Sequence, residues 1–219
     1  SISKWTRNRQ TIYTAIVRDM TERKRAEELI HRLAYYDHLT SLPNRALFQD
    51  LLKEAIFRGQ ADKKSVAILL MDLDHFKEIN DTLGHHRGDF LIQQVGKQLS
   101  HVLRPSDTVA RLGGDEFGVL LPLASPDDAS LVAQKIMKGL EQPIEIEGLP
   151  IAVETSIGIS LYPDHGESVD SLIQRADVAL YTAKKGGRGY TIYSQEQDQH
   201  TPRRLALLGE LRQAIEGGQ

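Results

Sequence analysis

The chain has 219 residues, 40% hydrophobic and 26% charged, with 27 Lys and Arg against 30 Asp and Glu for a formal net charge of −3. Such proportions are ordinary for a soluble globular protein able to bury a full core in one or two domains, and the small charge gives no argument for a nucleic-acid or membrane surface. The absence of cysteine excludes a disulfide frame and thiolate metal sites, as suits a reducing cytoplasm, and no apolar stretch approaches the roughly 18–20 residues of a membrane span.

No signal peptide opens the chain. Both ends read as cut from a longer protein, so a cytoplasmic location is expected for this piece while the parent is free to be membrane-attached. Residues 1–20, SISKWTRNRQTIYTAIVRDM, hold one β-like run around Ile12–Val17, with too little apolar material for a core. That run is expected to pair with something missing or to pack on the next domain. Residues 21–36 predict a linker helix: Thr21 suits an N-cap, and Ala26, Leu29, Leu33 and Tyr36 fall at three- and four-residue steps. The stripe is narrow and the other faces are charged, as in a helix that pairs with a copy of itself; a solvated linker helix is the plainer alternative.

A turn follows, then a helix from about Asn44 ending at Gly59. SVAILLMDLDHF is a continuous apolar run closing on acids, the pattern of a buried central strand. GDFLIQQVGKQLSHVL is an amphipathic helix. TVARL and EFGVLLP form a hairpin around Gly113–Gly114, since paired glycines accept the positive φ of a tight turn. A helix over Pro126–Leu140, two strands about Gly148, a capped helix ending in glycine, a short strand YTIY and a helical tail complete the pattern. Strands joined by hairpins and interleaved with helices predict an α+β sandwich with a mixed, largely antiparallel sheet.

Asp72 and Asp74, two apart at the end of the buried strand, point to one face, and Asp115 and Glu116 on the hairpin can meet Asp72 across the sheet edge. Converging carboxylates repel one another unless a hard cation joins them; Mg²⁺ takes few protein carboxylates and fills its shell with substrate phosphates. Capping of turns or surface pairing with Lys and Arg is the plainer use of such acids. HFKEIND offers helix-start N–H groups and Lys77 to phosphate, and KKGGRG places Lys184 and Arg188 around a glycine turn as a clamp. A basic helix end answering the macrodipole explains that last pair equally well. Acids for a metal and bases for phosphates together fit metal-assisted phosphoryl transfer.

RLGGDEFG, with YDHLTSLPNR, MDLDHFKEINDTLGHHRGD and ADVALYTAKKGGRG, resembles the GGDEF family, the diguanylate cyclases, from about Asp37 to Tyr193. The resemblance implies a five-stranded sheet wrapped by helices, nucleotidyl-cyclase-like, and condensation of two GTP into cyclic di-GMP and two pyrophosphates. It implies Mg²⁺, with Mn²⁺ a possible substitute, held by Asp72, the Leu73 carbonyl and Asp115, with Glu116 as a second acid of that site. Asp115 is also the implied proton acceptor for the attacking 3′-hydroxyl, a task left open between the side chain and a metal-bound hydroxide.

Asn80 and Asp89 would read guanine, with His85 near base or ribose. His75 and Phe76 through backbone, and Lys77, would touch phosphates, with Lys184 and Arg188 on the outer ones. Gly113 and Gly114 would let the backbone approach nucleotide. Each domain holds one GTP, so chemistry requires a homodimer, with no nucleic acid and no membrane contact in this piece. RPSD, Arg104 to Asp107, resembles the family's inhibitory product site; standing free it would read as a helix end with Pro105 as stop, but at this offset before Gly113 the resemblance implies the inhibitory site.

The divisions implied are 1–20 as the end of a PAS-like sensor, 21–36 as linker helix, 37–194 as GGDEF domain and 195–219 as a linker helix toward an EAL-like domain. A composite of that kind admits a second function, a GTP-binding module regulating a neighbouring phosphodiesterase. A third is a dimerising spacer without nucleotide.

Overall fold

The computed structural model describes residues 2–7, 10–15, 21–187 and 189–200, so Arg188 and the tail helix expected over 201–219 lie outside the described residues. The chain forms two compact units, Ser1–Ala34 and Tyr35–Gln219. In the first, β1 (Ile2–Arg7) pairs antiparallel with β2 (Gln10–Ala15), placing Trp5 opposite Ile12. The run at Ile12 therefore finds its partner within its own segment rather than elsewhere. Ile2 and Trp5 stand three apart and break the two-residue alternation, so β1 leaves little trace in the sequence. Ile16 and Val17 of the expected run lie outside the described residues. The linker helix is α1 (Thr21–Tyr35), with Leu29, Ile30 and Leu33 exposed.

The second unit is a helix-wrapped sheet of five strands in the order β4 (Thr108–Gly113), β5 (Glu116–Pro122), β3 (Val66–Leu73), β8 (Thr155–Tyr162), β9 (Tyr190–Ile192). All neighbours are antiparallel except β8 and β9, which run parallel, so the sheet is mixed and mostly antiparallel as expected. The central strand β3 shows why a continuous apolar run was needed. Its odd-numbered residues Ala67, Leu69, Met71 and Leu73 join a core with Leu91, Val95, Ala133 and Ile136 from α4 (His85–Val102) and α5 (Pro126–Leu140). Its even-numbered Val66, Ile68 and Leu70 join a second core with Phe48 and Leu52 of α2 (Arg45–Asp62) and Leu172 and Ala176 of α6 (Val169–Gly186). A short helix, α3 (Phe76–Leu83), lies between β3 and α4.

Two expectations are corrected. Gly59 does not end α2, which runs on to Asp62 with Lys63 in the left-handed region at φ 54°. A Cβ on Gly59 would stand 2.8 Å from the Lys64 carbonyl oxygen, so this buried glycine admits the returning chain instead of stopping the helix. The two strands expected about Gly148 are three. β6 (Ile144–Ile146) and β7 (Leu149–Ile151) close a small hairpin of their own, and β8 starts after a break at 152–154. Among the described residues no helix is long and apolar enough to cross a membrane.

At the far end of β8 the turn into α6 is held by His165. Its Nδ1 accepts from the Leu161 N–H at 3.1 Å, its ring meets Tyr193 edge-on at 5.3 Å, and Arg175 donates to its carbonyl. Burial holds the imidazole pKa below its ordinary value; Asp164 opposes this and the Arg175 charge reinforces it. Because the unfolded chain then binds the proton more readily, the stability this residue provides is full above the unfolded value of about 6.5 and is lost as pH falls through the lower folded value. Thermal melts from about pH 7 to pH 5 are expected to show a falling midpoint that flattens in His165→Asn. Parallel curves for both proteins would contradict this.

Candidate active site

The row Ile68, Leu70 of β3 continues to Asp72, so the strand that fills the core ends by presenting a carboxylate on the face covered by α2 and α6. Asp72 is 15% exposed, and its Oδ1 lies 2.7 Å from Nζ of Lys184, in the last turn of α6, whose side chain is 38% exposed. α6 comes this near because β8 offers it a glycine. A Cβ on Gly158 would stand 2.1 Å from both the Ala176 carbonyl oxygen and the Leu180 nitrogen. The next residues of the turn are also pinned from β8. The Thr155 hydroxyl donates to the Asp72 carbonyl at 2.9 Å, and the Ser156 hydroxyl to the Asp74 carboxylate at 3.0 Å.

Asp115 comes from the neighbouring hairpin. Gly113 and Gly114 take φ of 146° and 52°, values open to glycine and poorly tolerated by other residues, and the chain reverses there. Burial raises the Asp115 pKa, and the Asp72 charge raises it further, against the pull of its own backbone N–H, Lys184 and Arg111. Asp72, Leu73, Asp115 and Lys184 line one cleft of about 850 Å³, with His75, Phe76 and Lys77 at its edge. His75 sits in the left-handed region at φ 60° as N-cap of α3, a strained conformation of the kind that concentrates at functional sites. Behind it the Phe76 and Lys77 N–H groups, the first of the helix, have no intrahelical acceptor, while the Glu78 N–H donates to the His75 carbonyl at 2.9 Å. Among the described residues no group of three or more His, Cys, Asp or Glu forms a metal cage. Two shielded carboxylates in an open cleft instead suit a hard divalent ion that completes its shell from elsewhere.

The other described residues expected at the site do not line this cleft. Asn80 on α3 faces Gly88 on α4; its Oδ1 is shut from solvent and accepts no hydrogen bond, which marks a place where a donor is wanted. His85 and Asp89 stand exposed in the first turns of α4. Glu116 is not with Asp115. Although it lies opposite Asp72 in the strand register, its carboxylate is taken by Arg45 of α2 at 3.0 Å, in a separate hollow between α2 and α6. Arg104 and Asp107 line a shallow pocket below α4, where the Asp107 carboxylate accepts the Arg104 N–H at 3.1 Å and closes its own turn.

A further network has no signal in the sequence. Arg111, two residues before Gly113, donates through Nε and Nη2 to the Gly114 carbonyl at 3.1 and 2.8 Å, and through Nη1 to both Asp37 oxygens at 3.1 and 3.2 Å. The two side chains are only 11% and 15% exposed. Burial alone would raise the Asp37 carboxyl, but the Thr40 hydroxyl and N–H, with Arg111, outweigh it and hold the pKa below the ordinary value. The Asp-x-x-Thr spacing announces the turn at 37–40; nothing in it announces a partner on the hairpin.

The chain has relatives among known proteins. The family model "Diguanylate cyclase, GGDEF domain" matches residues 34–190. The bifunctional diguanylate cyclase/cyclic di-GMP phosphodiesterase MucR of Pseudomonas aeruginosa is 42% identical over 197 residues, covering 90% of this chain and 29% of that protein. The solved GGDEF domain of TpbB from the same species has 42% identity and a TM-score of 0.73, covering 78% of this chain and 99% of that one. The coiled coil and GGDEF domain of DgcB from Caulobacter crescentus, solved with cyclic di-GMP, has 32% identity and a TM-score of 0.71, covering 78% of this chain and 93% of that one. The chain thus spans well under half the length of the curated relatives it matches, 29% of MucR among them.

Proposed function

Since the chain belongs to the diguanylate cyclase GGDEF family, we propose that it condenses two GTP into cyclic di-GMP, one nucleotide on each of two facing copies. The observation that carries this reading is the convergence of Asp72, Asp115 and Lys184 on one cleft beside the start of α3. Asp72, the Leu73 carbonyl and Asp115 would hold Mg²⁺, which when bound neutralises charge on the phosphates and favours ionisation of the attacking hydroxyl. Lys77, Lys184 and the N–H groups at His75 and Phe76 would orient the triphosphate.

The 3′-oxygen of one GTP bonds to the α-phosphorus of the other, the bond to pyrophosphate breaks, and the 3′-proton passes to Asp115. A second such exchange closes the ring. The exposed stripe of Leu29, Ile30 and Leu33 on α1 suits pairing with a copy of itself, which would raise the effective concentration of the second domain.

Asn80 and Asp89 would read guanine, since a carboxylate accepts from its N1–H and amino group where adenine presents an acceptor. Gly88 makes room for this. A Cβ there would lie 1.9 Å from Asn80 Oδ1, 2.9 Å from its Cγ and 3.3 Å from Phe76 Cζ, so the Asn80 side chain would have to turn away, although no backbone atom is in the way. Gly88→Ala is therefore expected to weaken GTP binding about tenfold with little change in melting temperature, since the about 1 kcal/mol that alanine gains in a helix is opposed by crowding of the Asn80 and Phe76 side chains. A GTP titration beside a thermal melt checks both.

Arg104→Ala is expected to raise activity at high product several-fold, since Arg104 would supply the anion-binding charge of an inhibitory site. Superimposable inhibition curves would remove that assignment. Incubation with GTP and Mg²⁺ tests the main reading, with cyclic di-GMP as the expected product. The partial coverage of a bifunctional relative favours one alternative, a GTP-binding module that regulates a phosphodiesterase domain. Tight GTP binding without product at any protein concentration would decide for it.

A further inference from the structure

Building on the cyclase reading, we infer that the Lys184 ammonium holds the place of the divalent cation at Asp72 until nucleotide arrives, so that cation and GTP bind together. The Asp72 carboxylate is 15% exposed and stands beside Asp115, and its Oδ1 is 2.7 Å from Nζ of Lys184. Two neighbouring carboxylates withdrawn from water are costly without a counter-charge, and here the protein supplies its own. The lysine is also built to leave. Its side chain is 38% exposed, it lies in the last turn of α6, and its flexible stem carries a compact charge. The ammonium of its neighbour Lys185 lies elsewhere, over the Tyr181 ring at 4.5 Å from the centroid.

A divalent cation entering alone meets an ammonium already on the oxygen it needs. Displacing that ammonium returns it to water and leaves a cation nearby to repel the newcomer. With a triphosphate in the cleft the displaced ammonium gains an anionic partner a short swing away, and the competition becomes cooperation. Linkage makes the effect reciprocal: the factor by which nucleotide tightens the cation is the factor by which the cation tightens nucleotide.

The test is a Mn²⁺ titration of the full 219-residue chain, followed by the electron paramagnetic resonance signal of free Mn²⁺. It is run with and without a saturating non-hydrolysable GTP analogue. Without nucleotide, Lys184→Met is expected to bind Mn²⁺ about tenfold tighter than wild type, within the usual range of coupling between sites. The analogue is expected to tighten Mn²⁺ less in the variant than in wild type. Lys184→Gln should repeat the result with a polar side chain, and Asp72→Asn should weaken Mn²⁺ in every background.

The inference is overturned if both Lys184 variants bind Mn²⁺ no tighter than wild type, if nucleotide acts equally in all, or if Asp72→Asn leaves Mn²⁺ unmoved. None of these readouts involves turnover. Failure to form cyclic di-GMP is thereby kept separate from failure of the exchange at Asp72.

Discussion

Asp115→Asn is expected to lower cyclic di-GMP formation by about 10²- to 10⁴-fold, the usual effect of removing a general base, with GTP affinity changed only a few-fold. The substitution keeps shape and removes charge. It takes away the proton acceptor and the carboxylate that stands beside Asp72, yet leaves Lys184, Lys77 and the α3 N-terminus in position for the phosphates. It also relieves the repulsion between residues 72 and 115, one of the two causes that raise the native carboxyl, so the melting temperature should not fall. Product formation under single-turnover conditions, with a melt and a GTP titration on the same sample, checks all three. A loss of less than tenfold would remove Asp115 from the chemistry.

The second large effect concerns stability. Gly158→Ala adds one methyl group where α6 lies against β8. That methyl would meet backbone, 2.1 Å from the Ala176 oxygen and the Leu180 nitrogen and 2.6 Å from the Leu180 Cα. Unlike the clash at Gly88, no rotamer change relieves it; helix and strand must part. A cost of about 3 kcal/mol is expected, the upper part of the range for overpacked cores, or a melting point lower by about 10 °C for a domain of this size. Because α6 carries Lys184, whatever variant remains folded should also lose GTP affinity. A melt within a degree or two of wild type would show that the two elements separate freely.

Much of this was legible beforehand because it rests on local rules. An unbroken apolar strand ending in acids, a glycine pair between two short β runs and capped amphipathic helices dictate a helix-covered sheet with Asp72 and Asp115 near each other. What sequence could not supply was pairing across distance. Lys184 was read as a phosphate ligand, and its attachment to Asp72 depends on how closely α6 approaches at Gly158. Glu116 was grouped with Asp115 because they are adjacent, yet Asp115 belongs to the turn and Glu116 opens a strand, where Arg45 of α2 takes its carboxylate. Gly59 reads as a helix stop until the Lys64 carbonyl is seen against it. β1 was missed because its two large apolar residues do not alternate.

The Arg111 guanidinium joins two stretches of backbone that are otherwise far apart along the chain, gripping the carbonyl just ahead of Asp115 with one edge and the Asp37 carboxylate with the other. Asp37 stands two residues past the end of α1 at Tyr35. The start of the sheet-bearing unit and the tip that presents its acid are thereby tied through a single side chain, and Arg111→Ala would cut that tie while leaving every strand of the sheet in place.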